Sequence, residues 1–219
     1  MSHSDDRMDR LPRGRHGLSP EFVARNQRER LISALILTLA EVGYRKTTVS
    51  MIGHRAGVSK SDFYKHFDSK DDCFVAAYDH AVDRIRTTVV EACVPAAEWP
   101  ARVQAGVTVL LTLLAGEPPL ATIVLAEGLR AGRGIYDRYQ AAVESFVPLL
   151  RDGAPDPPGS APVPPATDEA VVGGIAALLS RRVVGGETED LTRLIPDVLE
   201  FALAPHLGTE GARRIISAG

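Results

Sequence analysis

Residues 47–70 read TTVSMIGHRAGVSKSDFYKHFDSK, and this segment constrains the fold more than any other. It holds three helix starts in quick succession. Each is marked by a hydroxyl side chain that can accept from the orphan N–H groups of a first turn: Thr48, Ser59 and Ser69. Asp62 and Asp72 follow Ser59 and Ser69 at the third position, the spacing of a capping box. Gly57 lies between the first two starts, where a tight turn favours a residue free to take positive φ. The pattern predicts a helix over 49–56, a turn at Gly57–Val58, a helix over 60–66 and a long helix from Lys70 to Val94 closed by Pro95. A longer helix precedes them, starting at Glu21 or Arg25 and ending at Val42. Leu31, Leu35, Leu39 and Val42 form its apolar stripe, and Gly43 stops it.

Two short helices joined by a tight turn behind a longer helix make a helix-turn-helix. Ile52, Ala56, Val58, Phe63 and Phe67 supply a small core, which leaves Lys60, Ser61, Tyr64, Lys65 and His66 to face outward. The major groove of a duplex admits one α-helix, and a helix N-terminus offers free N–H groups to phosphate. Charge agrees with that use. Residues 10–67 carry 11 Lys+Arg against 4 Asp+Glu, a net +7, while the rest of the chain carries 14 against 24, a net −10. A basic N-terminal quarter on an acidic body sets one part apart for a polyanion. Charge clustering on a solvated surface explains the numbers equally well by itself; the conjunction with the motif selects DNA.

The remainder is helical in pattern, with little β-branched alternation. Residues 1–20 are polar and read as a mobile basic arm. Helices are expected over 101–115, 120–130, 135–151, 167–184 and 189–204, with a Pro- and Gly-rich surface loop over 152–166 and a short tail to Gly219. The stripe of the long helix is Phe74, Tyr78, Ala81, Ile85, Val89 and Ala92. Cys73 and Cys93, 20 positions apart on one helix, would lie about 30 Å apart, too far to bridge. The apolar runs at 103–115 and 120–125 fall short of the ~18–20 residues of a spanning helix, and the N-terminus has no apolar leader core. A reduced, cytoplasmic protein is expected. G-x-S-x-G, P-loop, C-x-x-C and H-E-x-x-H motifs are all missing, so no enzyme, cofactor or metal is expected. Asp79-His80 with Asp83 offers two metal ligands on a helix, but a solvated face explains them better.

The stretch TTVSMIGHRAGVSKSDFYKHFDSKDDCFVAAY resembles the N-terminal signature of the tetracycline-repressor (TetR) family of bacterial transcriptional regulators, most closely over Arg25–Tyr78. The arm LPRGRHGLSPEFVARNQRER resembles arms of actinobacterial members. The resemblance implies an all-α fold, with an N-terminal three-helix helix-turn-helix domain plus a C-terminal helical ligand-binding and dimerisation domain. The implied divisions are an arm over 1–20, a DNA-binding domain over 21–69 and a body over 70–219. It implies that Thr48 and Lys70 meet phosphates and that Ser59, Lys60, Ser61 and Lys65 line the reading helix. Tyr64 and His66 would touch the backbone or groove edge, and Arg13 and Arg15 the minor groove. Three positions depart from the family pattern: Ser61 and Asp62 stand where Gly and Thr are common, and Gly53 replaces a common Ala. Asp62 either caps its helix or accepts a hydrogen bond from cytosine N4.

One helix-turn-helix reads few base pairs, so a homodimer on a palindromic operator is expected. The resemblance puts the interface on the last two long helices, and their apolar residues cover more than one narrow stripe. Val172, Gly173, Ile175, Leu179, Leu194, Val198 and Phe201 are the candidate interface residues; a helix simply central in its own subunit is the competing reading. The middle helices would enclose a small, mostly hydrophobic effector, with Thr108, Thr112, Glu127, Arg130, Tyr136 and Tyr139 as polar contacts and Trp99 and Phe146 as walls. The function expected is that of a ligand-released repressor. A constitutive DNA-binding regulator without small-molecule input, and an all-helical enzyme or scaffold, are the rivals.

Overall fold

The computed structural model describes residues 19–96, 98–128, 133–157 and 161–218. Arg13, Arg15 and Arg130 therefore lie outside the described residues. Among the described residues every regular element is helical and none is a strand. The chain forms two compact units, Met1–Asp79 and His80–Gly219.

The first unit holds α1 (Pro20–Val42), α2 (Val49–Ala56), α3 (Lys60–Phe63) and the start of α4 (Lys70–Cys93). Ser19 caps α1 by accepting the Phe22 N–H at 3.2 Å, and Pro20 occupies the first turn, where its missing N–H costs nothing. Leu31, Leu35 and Leu39 are buried, as the stripe predicts, together with Ile52, Ala56, Val58, Phe63 and Phe67. Phe74 and Tyr78 of α4 complete this core; Phe74 meets Tyr44 edge-on at 5.0 Å and lies 6.4 Å from Tyr78. Burial pushes the Cys73 thiol up to about 12, so it packs as a small inert hydrophobe. The third helix is shorter than the predicted 60–66. Beyond Phe63 the chain closes by tighter bonds, Lys65 N–H to the Asp62 carbonyl (3.1 Å) and His66 N–H to that of Phe63 (3.0 Å), before Phe67 re-enters the core.

The second unit contains the rest of α4, then α5 (Trp99–Gly116), α6 (Pro118–Ala121), α7 (Arg133–Glu144), α8 (Val147–Arg151), α9 (Pro165–Val184) and α10 (Ile195–Ala218). Helix α5 packs on α10 and on a 3₁₀ stretch, Thr188–Leu194; α9 packs on α7, α8 and α10. One core cluster gathers Trp99, Val103, Leu150, Val171, Leu199, Ala202, Leu203 and Ala212.

Four sequence expectations need correction here. The helix expected over 120–130 is α6 followed by a π-helical turn, Thr122–Glu127, closed by the Gly128 N–H on the Ile123 carbonyl at 3.0 Å. The start of α6 is Pro118 rather than Leu120, because Pro118-Pro119 occupy first-turn positions that need no N–H. The helix expected over 135–151 breaks at Ser145–Phe146, because Pro148 cannot donate back to the preceding turn. The helix expected over 189–204 is instead the 3₁₀ stretch and then α10, and the expected tail continues α10 beyond a kink at Gly208 (φ 70°, ψ 162°). The returning segment buries Ala212 completely and lays Ile215 and Ile216 on the Trp99 cluster.

Candidate nucleic-acid interface

The segment 47–70 is built as its caps predict. Thr48 Oγ1 accepts the Met51 N–H at 3.2 Å and starts α2. Gly57 ends α2 in the left-handed region (φ 62°, ψ 36°), its N–H directed at the Gly53 and His54 carbonyls. Val58 N–H then donates to the Gly53 carbonyl at 2.9 Å. A Cβ on Gly53 would stand 2.7 Å from the Val58 carbonyl oxygen, so glycine at this position lets the turn close directly over α2. The Arg30 guanidinium of α1 donates to the Ala56 carbonyl and holds the C-terminal end of α2.

Replacing Thr48 with alanine removes one cap bond and is expected to cost about 0.5–2 kcal/mol of stability in the first unit. Thermal unfolding of the variant checks this. If Thr48 also meets a phosphate, DNA affinity falls about equally for all sequences while the slope of log affinity against log salt is unchanged, because a neutral hydroxyl displaces no counterion.

Ser59 starts α3, its Oγ accepting the Asp62 N–H at 3.0 Å. The box is closed differently from the standard form: Asp62 accepts the Ser59 hydroxyl at 2.7 Å. Lys60, Ser61, Tyr64 and Lys65 are exposed, with Tyr64 resting edge-on against buried Phe63 at 5.4 Å. His66 is half-buried; its Nε2 donates to Gln27 Oε1 of α1 at 3.1 Å. Burial and the neighbouring Arg28 guanidinium push His66 below the usual imidazole range, so it is neutral at pH 7. Arg28 itself lies over the Phe67 ring at 4.9 Å. Lys70 sits at the start of α4, and its ammonium donates to the Tyr44 and Thr47 carbonyls at 3.0 and 3.2 Å while resting 4.0 Å from the Tyr44 ring. Sequence reasoning missed this pinning of the α1–α2 loop. Tyr44 is pushed above its ordinary range by burial and by its bond to Asp71.

In the second unit, the residues singled out for an effector differ in burial. Trp99 and Tyr139 are buried, Phe146 is half-buried, and Thr108, Thr112 and Tyr136 are exposed. Glu127 is buried at the end of the π-helical turn. The Trp99 indole donates to the Leu150 carbonyl at 2.6 Å. Of the candidate interface residues, Leu179 and Val198 are buried within one chain, Val172, Gly173, Ile175 and Leu194 are half-buried, and Phe201 is exposed. The Phe201 ring lies on Gly174, where a Cβ would stand 3.1 Å from it. Phe201 also borders an open groove of about 530 Å³ with Asp197, Glu200, Ala204 and Pro205.

A buried polar network was invisible in the sequence. Asp168 opens α9 and is 3% exposed. It accepts from Arg151 Nε at 3.1 Å and from His206 Nε2 at 2.9 Å, while His206 Nδ1 faces the Pro155 carbonyl at 3.2 Å. The His206 ring meets Trp99 edge-on at 5.0 Å. These residues lie 17 to 51 positions apart in the chain, so no local spacing could announce them. Among the described residues no cluster of three or more His, Cys, Asp or Glu could hold a metal, and no single helix is long and apolar enough to cross a membrane.

With this geometry in place, known proteins give it a context. The family model for bacterial regulatory proteins of the tetR family matches residues 31–77, which span the end of α1, the helix-turn-helix and the start of α4. An uncharacterised HTH-type transcriptional regulator of Mycobacterium tuberculosis is 28% identical over 144 residues, covering 65% of this chain and 73% of its own. The fatty acid metabolism regulator protein of Bacillus subtilis is 21% identical over 179 residues, covering 80% and 92%. Among solved structures, the transcriptional regulator FadR of Bacillus subtilis in complex with stearoyl-CoA superposes with a TM-score of 0.69 at 19% identity, covering 81% of this chain and 98% of that one. Motif, fold and relatives converge on DNA-binding regulation of transcription rather than on catalysis. Over residues 31–77 the chain carries the signature of bacterial regulatory proteins of the tetR family.

Proposed function

We propose that the protein is a homodimeric repressor that leaves a palindromic operator when a small, mostly hydrophobic ligand binds its body. The division proposed is an arm over 1–20, a DNA-binding domain over 21–69 and a ligand-binding and dimerisation body over 70–219. The observation that carries the reading is the exposed row Lys60, Ser61, Tyr64 and Lys65 on α3 and the tight turn that follows it, fixed from behind by Phe63 and Phe67. Thr48 and Ser59 offer hydroxyls at two neighbouring helix starts, and Arg13 and Arg15 are proposed for the minor groove. His66 and Lys70 are proposed at the backbone, with their inward bonds fixing the surfaces beside it. Two such helices spaced about 34 Å apart would read half-sites one duplex turn apart.

The exposed Phe201, packed on Gly174, supports pairing through α9 and α10. The stearoyl-CoA bound by a neighbour of the same fold supports a ligand with a long acyl chain. Trp99, Tyr139, Glu127 and Phe146 are the inward candidates for holding it, with Thr108, Thr112 and Tyr136 nearer the surface.

The test has two stages. Repeated selection from a random duplex library is expected to enrich a palindrome, bound by a dimer in sedimentation. Stearoyl-CoA is then expected to weaken that complex by about 5- to 150-fold, the range of a 1–3 kcal/mol coupling. Enrichment of a sequence without two-fold symmetry would contradict the dimeric reading. The spread of Thr108, Thr112 and Tyr136 over the surface favours a second reading, a constitutive regulator. Unchanged DNA affinity and thermal stability across acyl-CoAs of every chain length would select it.

A further inference from the structure

The reading helix carries an acid where a polyanion is to be met. Asp62 Oδ1 takes the Lys65 ammonium at 2.7 Å, one helical turn away. Its other oxygen accepts the Ser59 hydroxyl at 2.7 Å, and the Ser61 hydroxyl lies 3.0 Å from that of Ser59. The group lies on the surface rather than in a core: the Lys65 side chain is 71% exposed and that of Asp62 34%. Bonds from Lys65 and Ser59 hold the Asp62 carboxyl below the usual carboxylate range, so the negative charge is present at neutral pH. Lys60, the cation on α3 itself, has no acidic partner among the described residues, whereas Lys65 lies in the turn just after the helix.

Non-specific affinity for a duplex comes from cations that replace the counterions of phosphates. A lysine already neutralised by a neighbouring carboxylate contributes little to that, and the carboxylate itself is repelled by the backbone. Base edges differ from phosphates in kind. Phosphates present acceptors alone, whereas the major-groove edge of every base pair presents donors beside acceptors. A paired ammonium and carboxylate can both be satisfied by the second surface and not by the first.

We propose that Asp62 is a positioning and specificity-determining residue, which withholds Lys65 from phosphates and reserves the pair for base edges. The inference rests on α3 being the helix that enters the groove. It also accounts for an acid at a position where the family commonly has threonine.

The experiment compares the full-length parent with Asp62→Asn, Lys65→Gln and the double variant, on a random-sequence duplex and on the duplex the parent enriches, across a salt series. Asp62→Asn is expected to bind random duplex roughly fivefold tighter and to steepen the salt slope by about one unit, because one more cation now displaces a counterion. The enriched duplex gains less, so the specificity ratio falls. In the Lys65→Gln background, Asp62→Asn leaves the slope unchanged. Asp62→Glu keeps the carboxylate within reach of Lys65 and restores the parental slope. The Ser59 cap bond goes to the backbone N–H of residue 62 and survives each change; Asp62→Ser replaces the Asn variant if circular dichroism shows that variant unfolded.

A parental slope in Asp62→Asn, or a steeper slope that persists without Lys65, overturns the inference. A parent that binds no duplex at any salt overturns the DNA-binding reading with it, whereas parental binding with an unaltered Asp62→Asn slope overturns the inference alone.

Discussion

Replacing Asp168 with alanine is expected to lower the unfolding free energy of the second unit by about 1–3 kcal/mol, the cost of leaving buried hydrogen-bonding groups without their partner. The carboxylate is gripped from two sides, by Arg151 at the end of α8 and by His206 in α10. Its removal leaves a buried imidazole and a guanidinium nitrogen without their acceptor. The loss spreads to the loop before α9, because the same two side chains also hold it: His206 faces the Pro155 carbonyl, and Arg151 donates to the Pro165 carbonyl at 2.7 Å. Urea unfolding followed by the fluorescence of Trp99, the one tryptophan of the chain, reports directly on the His206 ring against it. Asp168→Asn keeps one acceptor and should fall between the parent and the alanine variant. An alanine variant with the parental midpoint would show that the network contributes no net stability.

Phe63→Ala is the second large effect, at about 3–5 kcal/mol for deleting a fully buried aromatic ring. Phe63 has no solvent exposure; it packs on Phe67 at a ring separation of 5.7 Å and carries Tyr64 on its edge. It fixes both the spacing and the rotation of the exposed row that follows Ser59. A small domain has only about 5–15 kcal/mol of stability in total, so this loss consumes much of it. DNA binding should be abolished at temperatures where the parent binds, while the Trp99 unfolding transition of the second unit stays in place. Wild-type affinity in this variant would mean that the row is not positioned by the core beneath it.

The first unit was legible almost residue by residue, because its signals are local. Thr48, Ser59 and Ser69 cap helices at the positions their hydroxyls mark, and Gly57 takes the left-handed turn that its lack of Cβ permits. The apolar spacing of α1 and α4 identified the buried stripes, including Phe74, Tyr78, Ala81, Ile85 and Val89, although Val42 and Ala92 at the two helix ends are only half-buried. The second unit was legible as helical but not in its joints. Pro148 and Pro196 stand just inside helix starts, where proline is welcome, and a reading by periodicity alone runs straight through them. The π-helical turn after Ala121 has no residue signature of its own, since it trades one bonding register for another. The roles of Lys70 and Asp168 depend on carbonyls and side chains that only the folded chain brings near. The resemblance places Lys70 at a phosphate; the Tyr44 and Thr47 carbonyls that it also holds lie 26 and 23 positions away in sequence.

The kink at Gly208 carries a consequence for how the molecule is made. Because the segment beyond it closes over Trp99 and buries Ala212, the second unit lacks part of its interior until that segment has left the ribosome. The first unit has no such dependence: its core is complete by Tyr78. During translation the groove-reading half can therefore be formed while the other half still presents an open apolar surface, the period of greatest risk for aggregation.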